Sequence, residues 1–325
     1  MTFSIEAQMA YTAALNGAAC YRVPQPGLLR ISGEGRLDFI QRQTTNDVRL
    51  LQAGRALLTV LTSATARILD VWWLLIGPDD ESVDAITLPG RGPVTAQYLQ
   101  RRIFFMDRVT VSDLSADHAQ GWVTGPQAAD ALRQAGLEPP APGEVLTFPE
   151  SVRVLAQDET RGGGYLVLGS PPALETLMRR LAEGGAVTLD DEVCEVLRVE
   201  AGLAGPAREL TEAYTPLETN LDRAIHGAKG CYTGQEIIAR QITYDKIARR
   251  LVGLRLAAPV MVGATVLADG RPVGEVTSAA VSPRFGPVAL AVLRRPHFAP
   301  GTTIAVTGEM GEVTGNVVAL PFADR

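Results

Sequence analysis

The sequence predicts an α+β protein that ends in a small antiparallel β-barrel. In the first part of the chain, stretches with helical periodicity, such as residues 174–181, alternate with short strand-like runs. From Arg250 onward, short apolar runs are separated by Gly, Pro or Asp-Gly turns. Closely spaced short strands of this kind are typical of a barrel. The runs are residues 251–256, 265–267, 272–278, 288–293 and 303–306.

Composition excludes several classes of protein. The 325 residues include 30 basic and 36 acidic side chains, and the net charge of −6 comes without any basic run. A large nucleic-acid-binding surface is therefore not expected. The longest strongly apolar run, residues 71–76, is far too short to span a membrane, so we expect no membrane partner. The first residues lack the pattern of a signal peptide, and a cytoplasmic location is the expectation.

The cysteines and histidines do not predict a metal centre. Cys20, Cys194 and Cys231 are far apart and odd in number, which argues against both a disulfide framework and a zinc ribbon. The three histidines also lack the spacing of metal ligands. We therefore expect no intrinsic metal site.

Residues 229–236, Lys-Gly-Cys-Tyr-Thr-Gly-Gln-Glu, form the most distinctive segment. Thr233 and Glu236 have the spacing of a capping box, so the segment predicts the start of an amphipathic helix. Gly230 and Gly234 would allow a tight turn or a close approach to a ligand.

Cys231 lies within this segment, and two interpretations of it remain open. A helix N-terminus and Lys229 nearby both favour a thiolate, and His226 is a candidate partner. Alternatively, the segment is an ordinary loop-to-helix junction with a small buried cysteine.

Other polar positions are candidates for contact with a ligand. Asp70 precedes an apolar run and could be a general base, although a capping or turn role is more common for such a residue. Glu200 is the best carboxylate candidate, because it leads into a long irregular stretch that ends near residue 228. Residues 41–47 are rich in amides and hydroxyls and form either a solvated turn or a hydrogen-bonding wall. The residues alone do not identify a reaction.

The segment at 229–236 resembles the signature of the YgfZ family, whose members are folate-binding proteins related to the glycine-cleavage T-protein, an aminomethyltransferase. Further blocks of the chain resemble the same family in the same order. They are residues 31–33 with 39–47, residues 198–203 with 216–218, and residues 274–278.

The resemblance implies a three-domain, T-protein-like fold around a central folate channel. Residues 1–245 would form two interleaved α+β lobes, and residues 246–325 the C-terminal barrel. It also implies binding of tetrahydrofolate and a role in iron–sulfur cluster assembly or repair, which would support iron–sulfur enzymes that include tRNA-modifying ones. The expected partners are folate and iron–sulfur proteins or assembly factors, and the protein is expected to be a monomer.

The same resemblance assigns roles to site residues. Glu200 would hold the pterin ring, because a carboxylate can accept from neighbouring ring N–H groups. Lys229 and Arg240 would bind the glutamate carboxylates of the folate, and Cys231 would face the channel. The remaining cofactor-binding candidates in the signature are Gly230, Tyr232, Gly234 and Gln235.

Departures from the T-protein pattern bear on catalysis. The segment Ala-Arg-Ile-Leu-Asp-Val at residues 66–71 lacks the two glycines of the T-protein motif and keeps one acidic residue, Asp70. Gln235 stands where T-proteins have an arginine, and they have no cysteine at the position of Cys231. These departures favour a folate-binding assembly factor. The alternative is a folate-dependent aminomethyltransferase in which Asp70 would be the base. Across the two hypotheses, the catalytic candidates are Cys231 and Asp70.

Overall fold

A computed structural model describes residues 4–157, 164–308 and 311–323. The chain is divided into two compact units. The first, here called the double-sheet unit, comprises Thr12–Leu189 and Arg223–Gln235. The second, here called the barrel unit, comprises Met1–Tyr11, Asp190–Asp222 and Glu236–Arg325. The helices are α1 (Ile5–Asn16), α2 (Arg36–Gln43), α3 (Gly92–Gln100), α4 (Ala128–Gln134), α5 (Pro171–Glu183), α6 (Asp191–Glu200) and α7 (Gln235–Thr243).

The double-sheet unit contains eleven of the strands described by the structure, arranged in two sheets. The five-stranded sheet has the order β3-β4-β5-β2-β6 and is antiparallel throughout. The six-stranded sheet has the order β11-β1-β7-β10-β9-β8, with β11 parallel to β1. The strands are β1 (Ala19–Arg22), β2 (Gly27–Ser32), β3 (Leu57–Thr62), β4 (Ile68–Ile76), β5 (Ser82–Thr87), β6 (Thr110–Asp113), β7 (Ala119–Thr124), β8 (Val145–Thr147), β9 (Arg153–Gln157), β10 (Gly164–Gly169) and β11 (Val187–Thr188).

Each sheet buries an apolar face. Phe39 and Ile40 of α2 and Leu99 of α3 pack with Trp72 of β4 in one core. The other core contains the periodic face of α5, which includes Leu174, Leu177 and Leu181. The helical prediction for residues 174–181 is confirmed.

The barrel unit contains a closed antiparallel barrel with the strand order β12-β15-β14-β13-β16-β17, and β17 pairs back to β12. The prediction of a C-terminal antiparallel barrel is therefore confirmed. Val266, Leu293 and Val306 lie in its buried interior. The strands are β12 (Arg249–Leu256), β13 (Thr265–Ala268), β14 (Arg271–Ser282), β15 (Gly286–Arg294), β16 (Thr303–Gly308) and β17 (Gly311–Val318).

Helix α6 packs on the outside of this barrel, against β14 and β15. Asp190 is its N-cap, because its Oδ1 accepts the Val193 N–H at 2.8 Å. Val199 joins Leu251, Val288 and Leu290 in an outer apolar cluster. This packing fixes the C-terminal end of α6, which carries Glu200. None of the helices in the described part of the chain has the length and hydropathy needed to cross a bilayer.

Candidate functional site

Lys229 is tied into the double-sheet unit by three hydrogen bonds. Its side-chain Nζ donates to the carbonyls of Gln41 (2.9 Å), Thr44 (2.6 Å) and Asn46 (2.6 Å), and the residue is only 4% exposed. These carbonyls lie at and just beyond the end of α2, where helix carbonyls lack partners and a cation is favoured. Burial lowers the pKa of Lys229 to about 8. A contact to a folate carboxylate would have to replace one of these bonds.

The polar segment after α2 is internal. Asn46 donates through its Nδ2 to the Leu58 carbonyl at 2.8 Å, and Thr45 donates through its Oγ1 to the Ala224 carbonyl at 2.6 Å. Asp47 is buried as well, and its hydrogen bonds with Arg49 hold its pKa well below the usual range. The interpretation as a solvated turn is therefore wrong, because residues 43–47 are buried.

The predicted capping box at α7 is also wrong. The helix begins at Gln235, and the Thr233 N–H and hydroxyl both donate to the Arg42 carbonyl, at 3.0 and 3.3 Å. Glu236 lies in the first turn of the helix and pairs with Arg240 at 2.6 Å. The long-range partner of Thr233 thus replaces the local cap. Arg240 itself is an exposed helix-surface residue.

Gly234 satisfies a requirement that only glycine meets at low cost. Its φ is +84°, and a Cβ at this position would lie 2.7 Å from the Ser63 carbonyl oxygen. The neighbouring Thr233 carbonyl accepts from the Thr62 hydroxyl at 2.6 Å. The signature segment is therefore held against the β3–β4 hairpin at this end and by Lys229 at the other.

Cys231 lies between these two attachments and is exposed. The interpretation as a small buried cysteine is therefore wrong. The ring of Tyr232 lies 4.9 Å from the Lys229 Nζ, and burial raises the pKa of Tyr232 to about 12. Gln235 donates to the Lys229 carbonyl at 3.5 Å, and Gly230 is exposed with open space around its Cα. The arrangement presents one thiol on a loop whose flanks are fixed.

Asp70 is fully buried in β4 and holds neighbouring segments of the double-sheet unit together. Its Oδ1 accepts the N–H groups of Val71 (2.8 Å) and Leu88 (3.0 Å), and its Oδ2 accepts the Thr95 hydroxyl at 2.6 Å. Desolvation by burial raises the pKa of Asp70 from 3.8 to about 6. With no exposed surface, the carboxylate serves as a structural tie, and its role as a base stays a prediction.

In the barrel unit, the carboxylate of Glu200 is held in place by hydrogen bonds to one of its two oxygens. Its Oε1 accepts two hydroxyls, from Tyr11 at 2.7 Å and from Ser282 at 2.5 Å. The Ser282 Oγ in turn accepts the N–H groups of Arg284 (3.0 Å) and Phe285 (2.8 Å), so its proton is directed to Glu200. Burial and the Glu200 carboxylate raise the pKa of Tyr11 far above its usual range.

The second oxygen of Glu200 is differently placed. Among the described residues, Oε2 accepts no hydrogen bond, whereas Oε1 has both of its lone pairs in use. The residue is 7% exposed. A carboxylate held in this way can accept N–H donors from a ligand without first losing its own contacts.

Comparison with known proteins assigns the family. Residues 249–324 match the glycine cleavage T-protein C-terminal barrel domain. A chloroplastic protein of Arabidopsis thaliana, named a putative transferase, is 32% identical over 95% of this chain and 72% of its own. The chain belongs to the GcvT-like aminomethyltransferase family. Aminomethyltransferases of Halalkalibacterium halodurans and Rippkaea orientalis are 26% and 28% identical, over 87% and 85% of their lengths.

The same family is represented among solved structures. Aminomethyltransferase T of the glycine cleavage system from Bartonella henselae superposes with a TM-score of 0.89 over 99% of this chain and 91% of its own. At 21% identity this likeness establishes the fold. The predicted T-protein-like α+β fold with a C-terminal barrel is confirmed.

Two residues that contact the candidate carboxylate of Glu200 have no signal in the sequence. Tyr11 and Ser282 contact Glu200 across 189 and 82 residues of chain. Tyr11 lies in α1, and no local sequence pattern joins it to Glu200. The long separation explains why only the carboxylate was recognised.

The buried carboxylate of Asp70 should make stability depend on pH. Its pKa is raised from 3.8 to about 6 in the folded state, so its protonated form stabilises the fold below pH 4. This contribution is lost as the pH rises through 6. Replacing Asp70 by Asn should remove about 3 kcal/mol of pH-dependent free energy of unfolding, at about 1.4 kcal/mol for each pKa unit.

Urea unfolding of wild type and Asp70→Asn between pH 4 and pH 7 measures this difference. The wild type should lose stability relative to the variant as the pH rises. A difference that stays constant over the range would show that Asp70 has no raised pKa.

Proposed function

We propose that the protein binds tetrahydrofolate and acts in iron–sulfur cluster assembly or repair, so that it supports iron–sulfur enzymes, including tRNA-modifying ones. The observation that carries the folate assignment is the buried Glu200 carboxylate, with Oε1 fixed by two hydroxyls and Oε2 open. In this proposal, residues 1–245 form the folate-binding region and residues 246–325 the barrel domain.

The chemistry of Glu200 matches a pterin ring. The ring presents neighbouring N–H donors, and an ionised carboxylate accepts them through charge-assisted hydrogen bonds. Because Tyr11 and Ser282 already fix the carboxylate, little side-chain freedom is lost on binding. Arg240 is an exposed cation on α7 and is proposed to contact the glutamate carboxylates of the folate, as is Lys229 after exchange of one carbonyl contact.

Cys231 supplies the thiol for cluster chemistry in this proposal. Cluster iron is held by cysteine thiolates, commonly four to a cluster, so one thiol can only share a cluster with other ligands. An exposed cysteine on a fixed loop suits such sharing with an iron–sulfur client, because the partner supplies the remaining ligands. In this proposal the iron–sulfur cluster is a cargo and not a resident cofactor of the protein.

A second candidate function is folate-dependent aminomethyl transfer, which the names of the aminomethyltransferase relatives favour. Asp70 would then be the base, yet its carboxylate has no exposed surface and its described hydrogen bonds are all internal. Formation of methylenetetrahydrofolate from an aminomethyl donor tests this candidate. A rate that is unchanged in Asp70→Asn would remove Asp70 from the mechanism.

Replacing Cys231 by Ser tests the thiol. We expect the variant to bind tetrahydrofolate and to fold like the wild type, because Cys231 is exposed. In a strain that lacks the protein, the variant should leave iron–sulfur enzyme activity at the level of the empty strain, since a serine hydroxyl is a poor cluster ligand.

Cys194→Ser is the matched control, because Cys194 is a partly buried thiol on the surface of α6. This control should restore activity fully. Equal restoration by Cys231→Ser would exclude the thiol role while leaving the folate assignment intact, because folate binding is measured separately by calorimetry.

A further inference from the structure

The turn after α3 carries three consecutive large apolar side chains into solvent. Phe104, Phe105 and Met106 are 64%, 98% and 75% exposed, and they are here called the apolar tip. Single exposed apolar residues are common on protein surfaces, but three adjacent ones form an apolar patch, and such patches mark interaction sites. We propose that the apolar tip docks the protein onto an anionic membrane surface.

The apolar tip is a fixed feature of the turn. The Asp107 N–H donates to the Phe104 carbonyl at 2.8 Å, and the Phe104 N–H donates to the Asp107 Oδ2 at 3.0 Å. Arg42 holds the other oxygen of Asp107 at 2.6 Å. Ile103, just before the tip, packs against the core of the five-stranded sheet. The turn is closed by its own backbone and anchored at its base, so the exposed side chains are attached to a fixed backbone.

The charge around the tip points to an anionic surface. Residues 101–108 contain three arginines and one aspartate, in a chain whose net charge is −6. The aspartate is already paired with Arg42, and Arg108 is paired with Glu34. The Arg102 guanidinium lies 3.7 Å from the centre of the Tyr98 ring. Within the described part of the chain, neither Arg101 nor Arg102 is paired with a carboxylate.

The shape of the tip favours a bilayer over a protein partner. A stable protein interface needs an extended core of contacts surrounded by a polar rim. Three residues at the apex of a turn offer little such area. Aromatic side chains within a few residues of arginines instead suit the boundary between lipid headgroups and acyl chains, where the rings are buried and the cations meet anionic headgroups. The expectation of no membrane partner rested on the absence of a span, and surface docking needs none.

Co-sedimentation with lipid vesicles tests the proposal. We expect the wild-type protein to bind vesicles that contain phosphatidylglycerol, more weakly as salt is raised, and to bind phosphatidylcholine vesicles poorly. Replacing both Phe104 and Phe105 by Ser should weaken binding by about tenfold or more, because the buried apolar area is lost. Arg101→Gln should weaken it by about fivefold at low salt.

A matched control exists in the barrel unit, where Met261 and Val262 are 68% and 43% exposed. Replacing both by Ser should leave vesicle binding unchanged, and all variants should keep the thermal unfolding and folate binding of the wild type. Absence of binding to anionic vesicles would overturn the proposal, as would equal binding by the Phe104→Ser, Phe105→Ser variant. Capture of a protein partner through the tip without vesicle binding would also overturn it.

Discussion

Replacing Lys229 by Met is expected to lower the free energy of unfolding by about 3 kcal/mol, because three backbone carbonyls, two of them in buried hydrogen bonds, lose their donor at once. The side-chain Nζ of Lys229 binds the Gln41, Thr44 and Asn46 carbonyls at 2.6 to 2.9 Å. Each carbonyl left unpaired costs about 1 to 3 kcal/mol, and water recovers part of that loss. Methionine keeps the length of the side chain, so packing changes little.

Urea unfolding followed by tryptophan fluorescence measures this effect directly. The three tryptophans, Trp72, Trp73 and Trp122, all lie in the double-sheet unit with Lys229. Lys246→Met is the matched control at an exposed lysine, and we expect it to change stability by less than about 0.5 kcal/mol. Equal behaviour of the two variants would mean that the three carbonyls do not depend on Lys229.

Replacing Glu200 by Gln is expected to weaken tetrahydrofolate binding by about a hundredfold. The amide oxygen of glutamine can still accept from Tyr11 and Ser282, which leaves its NH₂ group at the position of the open Oε2. A donor then faces the N–H donors of the pterin, and the charge-assisted pair is lost. Loss of such a pair corresponds to about 3 kcal/mol, or two orders of magnitude in the dissociation constant.

Isothermal calorimetry with tetrahydrofolate measures the change, and Glu192→Gln on the exposed side of α6 is its control. The control should bind as the wild type does. Undiminished binding by Glu200→Gln would place the folate elsewhere and would remove the observation on which the proposed function rests.

The barrel and the cap of α6 could be predicted because their signals are local. Strands β12 to β16 each contain one of the predicted apolar runs, and Asp190 caps a helix that begins at the next residue. Such features depend on neighbours within a few positions, where side-chain periodicity and backbone chemistry decide the outcome.

The capping box shows where local reasoning fails. The Thr-x-x-Glu spacing of Thr233 also occurs at Thr215. At Thr215 the N–H does donate to the Glu218 carboxylate, at 2.9 Å. At Thr233 the Arg42 carbonyl, 191 residues away in sequence, takes both donors. The sequence spacing therefore makes a capping box possible, but tertiary contacts decide whether the threonine bonds to the glutamate or to a distant carbonyl.

The residues of the candidate site also divide into those that the sequence predicts and those that depend on tertiary contacts. Glu200 could be proposed from its position between a helix and an irregular stretch, together with a family resemblance, whereas Tyr11 and Ser282 could not. Lys229 can be singled out from the segment at residues 229–236, but its three carbonyl partners cannot, because they lie 183 to 188 residues away in sequence.

The partners of Glu200 also determine when this site can exist during synthesis. Tyr11 leaves the ribosome 189 residues before Glu200, and Ser282 follows 82 residues later. The carboxylate therefore has only one of its hydroxyl partners until strand β14 has been translated. A nascent chain arrested before that strand lacks the finished acceptor, so in the proposed function tetrahydrofolate would meet the complete acceptor only after β14 has been made.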